Sequence, residues 1–251
     1  MKYGARIIAF ACLLISTAVR AQRVSTYNTI GWFASNNTIH YKKTSLLLEY
    51  QWRRAEFTEG WQQSLFRTGI QYAIKKDISV LVGYGYIVTF PYGDFPSGPH
   101  HIPEHRIFEQ LSWNDVKGRI AINHRFRLEQ RYLGKIDQTS DKYDVQGWNY
   151  VNRIRYQLRA NVAINKKKIE DKTWSAGVYD ELFIGFGKNV NQNIFDQNRI
   201  GVVAGYQFNK HFRAEAGFLN QVVQQGGLIN GKEVFQYNNG VIVTVYTNLF
   251  N

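Results

Sequence analysis

Arginine recurs at alternate positions through Arg125, Arg127 and Arg131, with Glu129 interposed, and again through Arg153, Arg155 and Arg159. The planar guanidinium fork binds carboxylate or phosphate through two parallel hydrogen bonds and stays protonated where hydration is poor. A spacing of two places such side chains on one face of a β-strand. Across the run from Arg119 to Tyr132 the other face carries Ile120, Ile122, His124, Phe126, Leu128, Gln130 and Tyr132. At about 3.3 Å per residue this strand is about 40 Å long, enough to cross a bilayer at the tilt of a barrel strand. A charged face on so long a strand needs water or partners, and a closed barrel in lipid supplies both.

A second set of reactive residues lies between two proline positions. The stretch Pro91 to Pro103 holds Asp94, Ser97, His100 and His101, followed by Glu104 and His105. A Ser-His-Asp set could be assembled here, which makes an outer-membrane enzyme with a rim active site at 91–105 the alternative reading. Adjacent histidines lack the i, i+2 or i, i+4 spacing that aims two rings at one metal, and no nucleophile elbow is present. No catalytic residue, metal site or cofactor is therefore expected.

The elements that position these residues begin with an export signal. Lys2 and Arg6 precede the apolar run Ile7 to Ile15, and Val19-Arg20-Ala21 offers a signal-peptidase site, so residues 1–21 read as a signal peptide cleaved near Ala21. Cys12, the only cysteine, goes with it. Of 31 basic residues, the loss of Lys2, Arg6 and Arg20 leaves 28 against 19 acidic. Nucleic acid is excluded as a partner because the chain is exported and its arginines lie on strand faces, with no basic helix to carry them. After Ala21 no run approaches the roughly 20 apolar residues of a spanning helix.

Alternating segments occur at about 44–54, 62–73, 78–90, 104–114, 119–132, 148–163, 173–187, 198–208, 211–223 and 234–250, with 24–34 a further candidate. Connections alternate between tight (74–77, 115–118, 209–210) and long (91–103, 134–147), as short periplasmic turns and long outer loops do. The expected fold is an all-β antiparallel transmembrane barrel of about 10 strands, spanning 22–251 after cleavage, with 12 as the alternative. Counting back from a periplasmic C-terminus makes 44–54 the first rising strand and leaves 22–43 as a periplasmic or luminal segment. Lipid-facing positions include Leu46, Val82, Ile154, Val178, Ile200, Phe218 and Val243. Asp180 and the mixed faces around Arg106 and Glu109 break the pattern, which a β-bulge in either strand could repair.

Four motifs sharpen this picture: Arg67-Thr68-Gly69-Ile70-Gln71-Tyr72, Gly83-Tyr84-Gly85-Tyr86, Glu104-His105-Arg106 with Gln110-Leu111, and the run from His124 to Arg131. In these the chain resembles the domain-of-unknown-function 2490 family, exported proteins of Gram-negative bacteria expected to form outer-membrane β-barrels. The resemblance implies the fold and the location but brings no activity, substrate or catalytic residue.

The inward set comprises Arg53, Arg67, Arg106, Arg125, Arg127, Arg131, Arg153, Arg155, Arg159, Arg199 and Arg213, against Glu49, Glu104, Glu129, Glu181 and Glu215. Either arginine–glutamate networks plug the barrel, or unpaired arginines form a narrow anion-favouring channel or binding site. The expected ligand-binding residues are Arg67, Arg106, Arg125, Arg127, Glu129, Arg131, Arg153, Arg155 and Arg159. Expected partners are outer-membrane lipid and small anionic solutes or acidic oligosaccharides. Inward glycines Gly69, Gly83, Gly85, Gly201, Gly205 and Gly217 would widen the lumen or relieve crowding.

Overall fold

The computed structural model describes residues 23–96 and 98–249. The signal peptide expected at 1–21, and Ser97, lie outside the described residues. The described chain forms eleven strands: β1 (Arg23–Tyr41), β2 (Thr44–Ala55), β3 (Gly60–Ala73), β4 (Ile78–Thr89), β5 (Ile102–Lys117), β6 (Ile120–Ile136), β7 (Val145–Ala163), β8 (Thr173–Phe186), β9 (Phe195–Asn209), β10 (Phe212–Ile229) and β11 (Lys232–Leu249). They close into one barrel in which each strand pairs antiparallel with its sequence neighbour and β1 pairs with β11. No helix among the described residues is long and apolar enough to cross a membrane, which leaves crossing by strands open.

The strand count corrects the expectation of ten or twelve. The described part of the expected 22–43 segment is no separate element: β1 is a wall strand, bonded antiparallel to β2 and parallel to β11 from Arg23↔Glu233 to Ile39↔Leu249. The barrel is thus antiparallel at every junction but one. Its even parity fails for a geometric reason. Arg23 starts at the end bearing the 90–101, 137–144 and 187–194 loops, and Leu249 finishes at the end bearing the 42–43, 74–77, 118–119 and 210–211 turns. Ends at opposite mouths require an odd number of crossings. The candidate strand at 24–34 is the first part of β1; Asn36, Asn37 and Thr38 blur the alternation of the rest, which kept the strand out of the count.

Alternation governs both faces. Ile70, Val82, Val178, Val202 and Phe218 stand exposed on the outer surface, while Ile30, Leu65, Ile87, Phe183 and Leu219 are buried inside. So large an exposed apolar surface marks a non-aqueous environment or a partner. No bulge repairs the pattern at Glu109 or Asp180, since register runs unbroken through Glu109↔Leu128 and Asp180↔Ile200. Both carboxylates point outward and take a hydrogen bond from a carboxamide two residues along the next strand: Gln130 to Glu109 (3.1 Å) and Asn198 to Asp180 (2.6 Å). A bulge does occur in β3, between Arg53↔Gln63 and Arg54↔Trp61, and the extra residue, Gln62, is buried.

At the β10–β11 turn, Asn230 and Gly231 both have positive φ (50° and 72°), the conformation a two-residue hairpin demands. The Gly226-Gly227 pair, which a sequence pattern of closely spaced glycines would put in the hairpin loop, lies within β10 where the register shifts between Gln224 and Leu228. Gly83 does not widen the lumen: a Cβ there would lie 2.4 Å from Phe108 Cζ, so the space the glycine leaves is filled by that ring.

Candidate functional site

The interior divides its arginines into two kinds. In the first, carboxylates hold the guanidinium. Glu129, fully buried on β6, accepts Arg153 Nε and Nη2 on one oxygen (2.8 and 2.6 Å) and Arg155 Nη1 on the other (2.6 Å), with Arg106 Nη1 at 3.4 Å. Glu104 takes a two-pronged bond from Arg131 (2.8 and 3.0 Å) and a third from Arg106 (2.7 Å). Glu181 accepts Arg155 and Arg125 at 2.6 and 2.8 Å. Glu215 accepts Arg159 at 2.6 Å and also pairs with Arg213, while Arg67 pairs with Glu49. Such charge-assisted, bidentate pairs offset the cost of burying ions when their remaining polar atoms are also bonded.

In the second kind, carboxamides do the holding. Arg53 bonds through Nε to Gln51 (2.8 Å) and through Nη1 to Gln63 (2.6 Å), and no carboxylate of the described residues lies within 4.0 Å of it. Arg127 bonds to Gln110 (2.9 Å), leaves Nη1 without a partner and stands 4.0 Å from Glu129. Arg199 bonds to Gln197 (3.1 Å) and stands 3.9 Å from Glu181. All three are buried.

Aromatic rings take the place of the missing anions. The Arg53 and Arg199 guanidiniums lie 3.8 and 4.8 Å from the centroid of the same Trp32 ring. Arg199 and Arg155 likewise share Phe183, at 4.5 and 4.3 Å, and Arg127 stacks on Phe108 at 4.4 Å. Arg53, Trp32, Arg199, Phe183 and Arg155 therefore form a linked series of cations and rings contributed by β2, β1, β9, β8 and β7. A ring face attracts a cation more strongly when water is excluded. Trp32 Nε1 is fixed by donation to Gln62 (2.6 Å), the residue that the β3 bulge supplies.

Two cavities flank this series. One of about 240 Å³ opens toward the long loops and is lined by Glu104, Arg106, Arg131, Arg153 and Asp196. The other, of about 360 Å³, lies toward the tight turns and is lined by Arg125, Arg127, Arg159, Leu47, Leu81 and Val203. Four described residues line both: Arg53, Arg67, Arg155 and Arg199. The wall between the cavities is thus an arginine belt.

The structure brings all nine sequence-predicted site residues, Arg67, Arg106, Arg125, Arg127, Glu129, Arg131, Arg153, Arg155 and Arg159, onto the inner face. It ties eight of them into ion pairs short enough to be hydrogen bonds, the 3.4 Å Arg106–Glu129 contact being the longest bond of Glu129, and leaves Arg127 to a glutamine. Sequence reasoning left Arg53 and Arg199 out of the site, omitted Asp196 from the inward carboxylates, and missed Trp32. The signal for the first two was present: Gln51-x-Arg53 and Gln197-x-Arg199 put a carboxamide beside a guanidinium on one strand face. Asp196, which holds Arg153 at 2.6 Å, is the second residue of β9 and lay just outside the segment read from the sequence.

The β4–β5 loop folds across the mouth. Asp94 accepts Thr26 Oγ1 (2.8 Å), Tyr92 bonds to Gln236 and Asn238 on β11, and the Phe95 carbonyl accepts Gln225 (2.7 Å). His100 is committed to the Ser140 carbonyl (2.6 Å), and His101 stacks on Tyr143. Neither histidine bonds to Asp94. Among the described residues no cluster of three His, Cys, Asp or Glu could hold a metal ion.

Residues 29–230 match the family described as Protein of unknown function (DUF2490). The chain belongs to this family. No curated protein matches the sequence. Among solved structures, this DUF2490 member is similar to one described as "NanC porin structure in rhombohedral crystal form", at 13% sequence identity and a TM-score of 0.43, over 81% of this chain and 91% of that one.

Proposed function

We propose that this DUF2490 member is an outer-membrane β-barrel whose arginine-rich interior forms a narrow anion-favouring passage or binding site. The observation that carries the reading is the belt: the only described residues shared by the two cavities are four arginines. Eleven inward arginines face six carboxylates once Asp196 is counted, an excess of five positive charges in a confined space. Such a potential concentrates anions and repels cations. The exposed apolar outer face supports placement in lipid, and the apolar run at Ile7 to Ile15 supports export.

Planar-bilayer recording under a chloride gradient tests this. The expected result is discrete conductance steps with a reversal potential of anion preference, weakened by Arg53→Gln. Cation preference would overturn the passage. A plugged barrel is the second reading, favoured by the Glu104, Glu129 and Glu181 networks and by the loop across the mouth; it predicts no conductance from a folded, heat-modifiable protein.

A further inference from the structure

The cavity on the tight-turn side is amphipathic, unlike the wetted, polar lumen of a simple channel. Arg53, Arg127 and Arg199 line it from β2, β6 and β9, and Leu47, Leu81 and Val203 line it from β2, β4 and β9. Leu81 and Val203 are almost wholly buried. A volume of about 360 Å³ exceeds what an inorganic ion needs and falls within the range of small-molecule sites.

The three arginines here differ from the rest in what they would give up on meeting an anion. Removing Arg155 from Glu129 and Glu181 would leave buried carboxylates uncompensated, which is expensive. Moving Arg53 off Gln51 and Gln63 releases only neutral carboxamides; moving Arg199 off Gln197 breaks a bond to a carboxamide that also accepts from Gln221 (2.5 Å) and gives up a loose 3.9 Å contact with Glu181, which keeps its 2.6 and 2.8 Å bonds from Arg155 and Arg125. Arg127 needs no exchange, because its Nη1 already lacks an acceptor. Contact with Trp32 and Phe108 holds these guanidiniums in place beside the cavity, where an oxyanion would compete with the glutamines for their N–H groups.

We propose that this cavity binds a small organic anion, with its carboxylate or phosphate group held by Arg53, Arg127 and Arg199 and its apolar body resting on Leu47, Leu81 and Val203. The proposal rests on the anion-favouring interior and adds to it a ligand class: an amphiphilic solute in preference to a simple oxyanion. The carboxylate-paired arginines serve as the frame, and the carboxamide-held ones as the exchangeable contacts.

Isothermal titration calorimetry on the full chain folded in detergent, with benzoate, inorganic phosphate and benzyl alcohol as probes, tests it. Benzoate is expected to bind about tenfold or more tightly than either other probe, since only benzoate carries both an anionic group for the arginines and an apolar body for Leu47, Leu81 and Val203. Arg53→Gln or Arg199→Gln should weaken benzoate about tenfold, the weight of one charge-assisted hydrogen bond. Leu81→Asn should weaken benzoate and leave phosphate unchanged. Heat-modifiable migration confirms that each variant is folded, and Lys117→Gln at the β5–β6 turn serves as control. The proposal falls if phosphate matches benzoate, if folded arginine variants bind like the parent, or if no probe binds. Chloride reversal potentials on the same preparation separate the two claims. Anion selectivity without benzoate binding overturns the site and spares the passage. Benzoate binding without conductance steps does the reverse.

Discussion

Buried arginines of the interior have different partners, carboxylates for Arg155 and carboxamides for Arg53, so changes at the two kinds of contact should differ in cost. Glu129 sits at the junction of Arg106, Arg153 and Arg155, so Glu129→Gln strands positive charge in a water-poor interior. Breaking one side of a buried ion network costs about 3–5 kcal/mol. Urea titration of the folded barrel should therefore show Glu129→Gln unfolding at markedly lower denaturant than the parent, whereas Arg53→Gln, which leaves glutamines beside a glutamine, should shift the midpoint far less. Equal shifts would contradict the division into frame and exchangeable arginines. A subtler route to Arg127 runs through Gly83. In Gly83→Ala the new methyl meets Phe108 Cζ at 2.4 Å, which forces the ring off the wall and removes the platform under Arg127. The variant should fold with reduced stability and show weakened anion preference in single-channel recordings; unchanged selectivity would separate Arg127 from the passage.

Among the elements, the β4–β5 loop is anchored in part by a titrating group. Tyr92 is held by Gln236 and Asn238, and burial keeps its phenol above the ordinary value of 10.0. A raised value means that the anchoring is complete below the unfolded phenol's pKa and fades as pH climbs through the higher folded one. Protease nicking within 93–99 should therefore accelerate only in strongly alkaline solution, and Tyr92→Phe should accelerate it already at neutral pH. Nicking of Tyr92→Phe at the parent rate would show that Asp94 and Phe95 hold the loop alone. Strands such as β6 and β9 were legible because alternation is a local property, written in consecutive residues. β1 was legible only in part, as the candidate at 24–34, because its place in the wall rests on bonding to β11, some 210 residues away at Asn28 and Asn238, and its own sequence mixes Ile30 and Trp32 with Asn36 and Asn37. The inward arginines were legible from strand parity, yet their partners were not, since which glutamate meets which guanidinium depends on cross-strand register. The outward Glu109 and Asp180 show the same limit: alternation flagged them as errors of register, while the structure answers them with side chains from adjoining strands.

For the molecule as a whole, an odd number of crossings puts Arg23 and Leu249 at opposite mouths. If the barrel sits in the outer membrane with its long loops outward, an epitope placed before Arg23 in the processed chain should be labelled on intact cells, and one after Leu249 only after permeabilisation. Labelling of both or neither from outside would refute that orientation. The single parallel junction also carries a consequence in time. Ten of the eleven junctions join strands that are adjacent in the chain and can form as soon as a hairpin exists. The eleventh unites the earliest strand with the last, so it pays a large loop-closure entropy and must await the delivery of β11. Until then the growing sheet has two open edges, β1 among them, each able to recruit a foreign strand. The chain is thus most vulnerable to misassembly at the moment before it is complete, and its final act of folding is to join its own beginning.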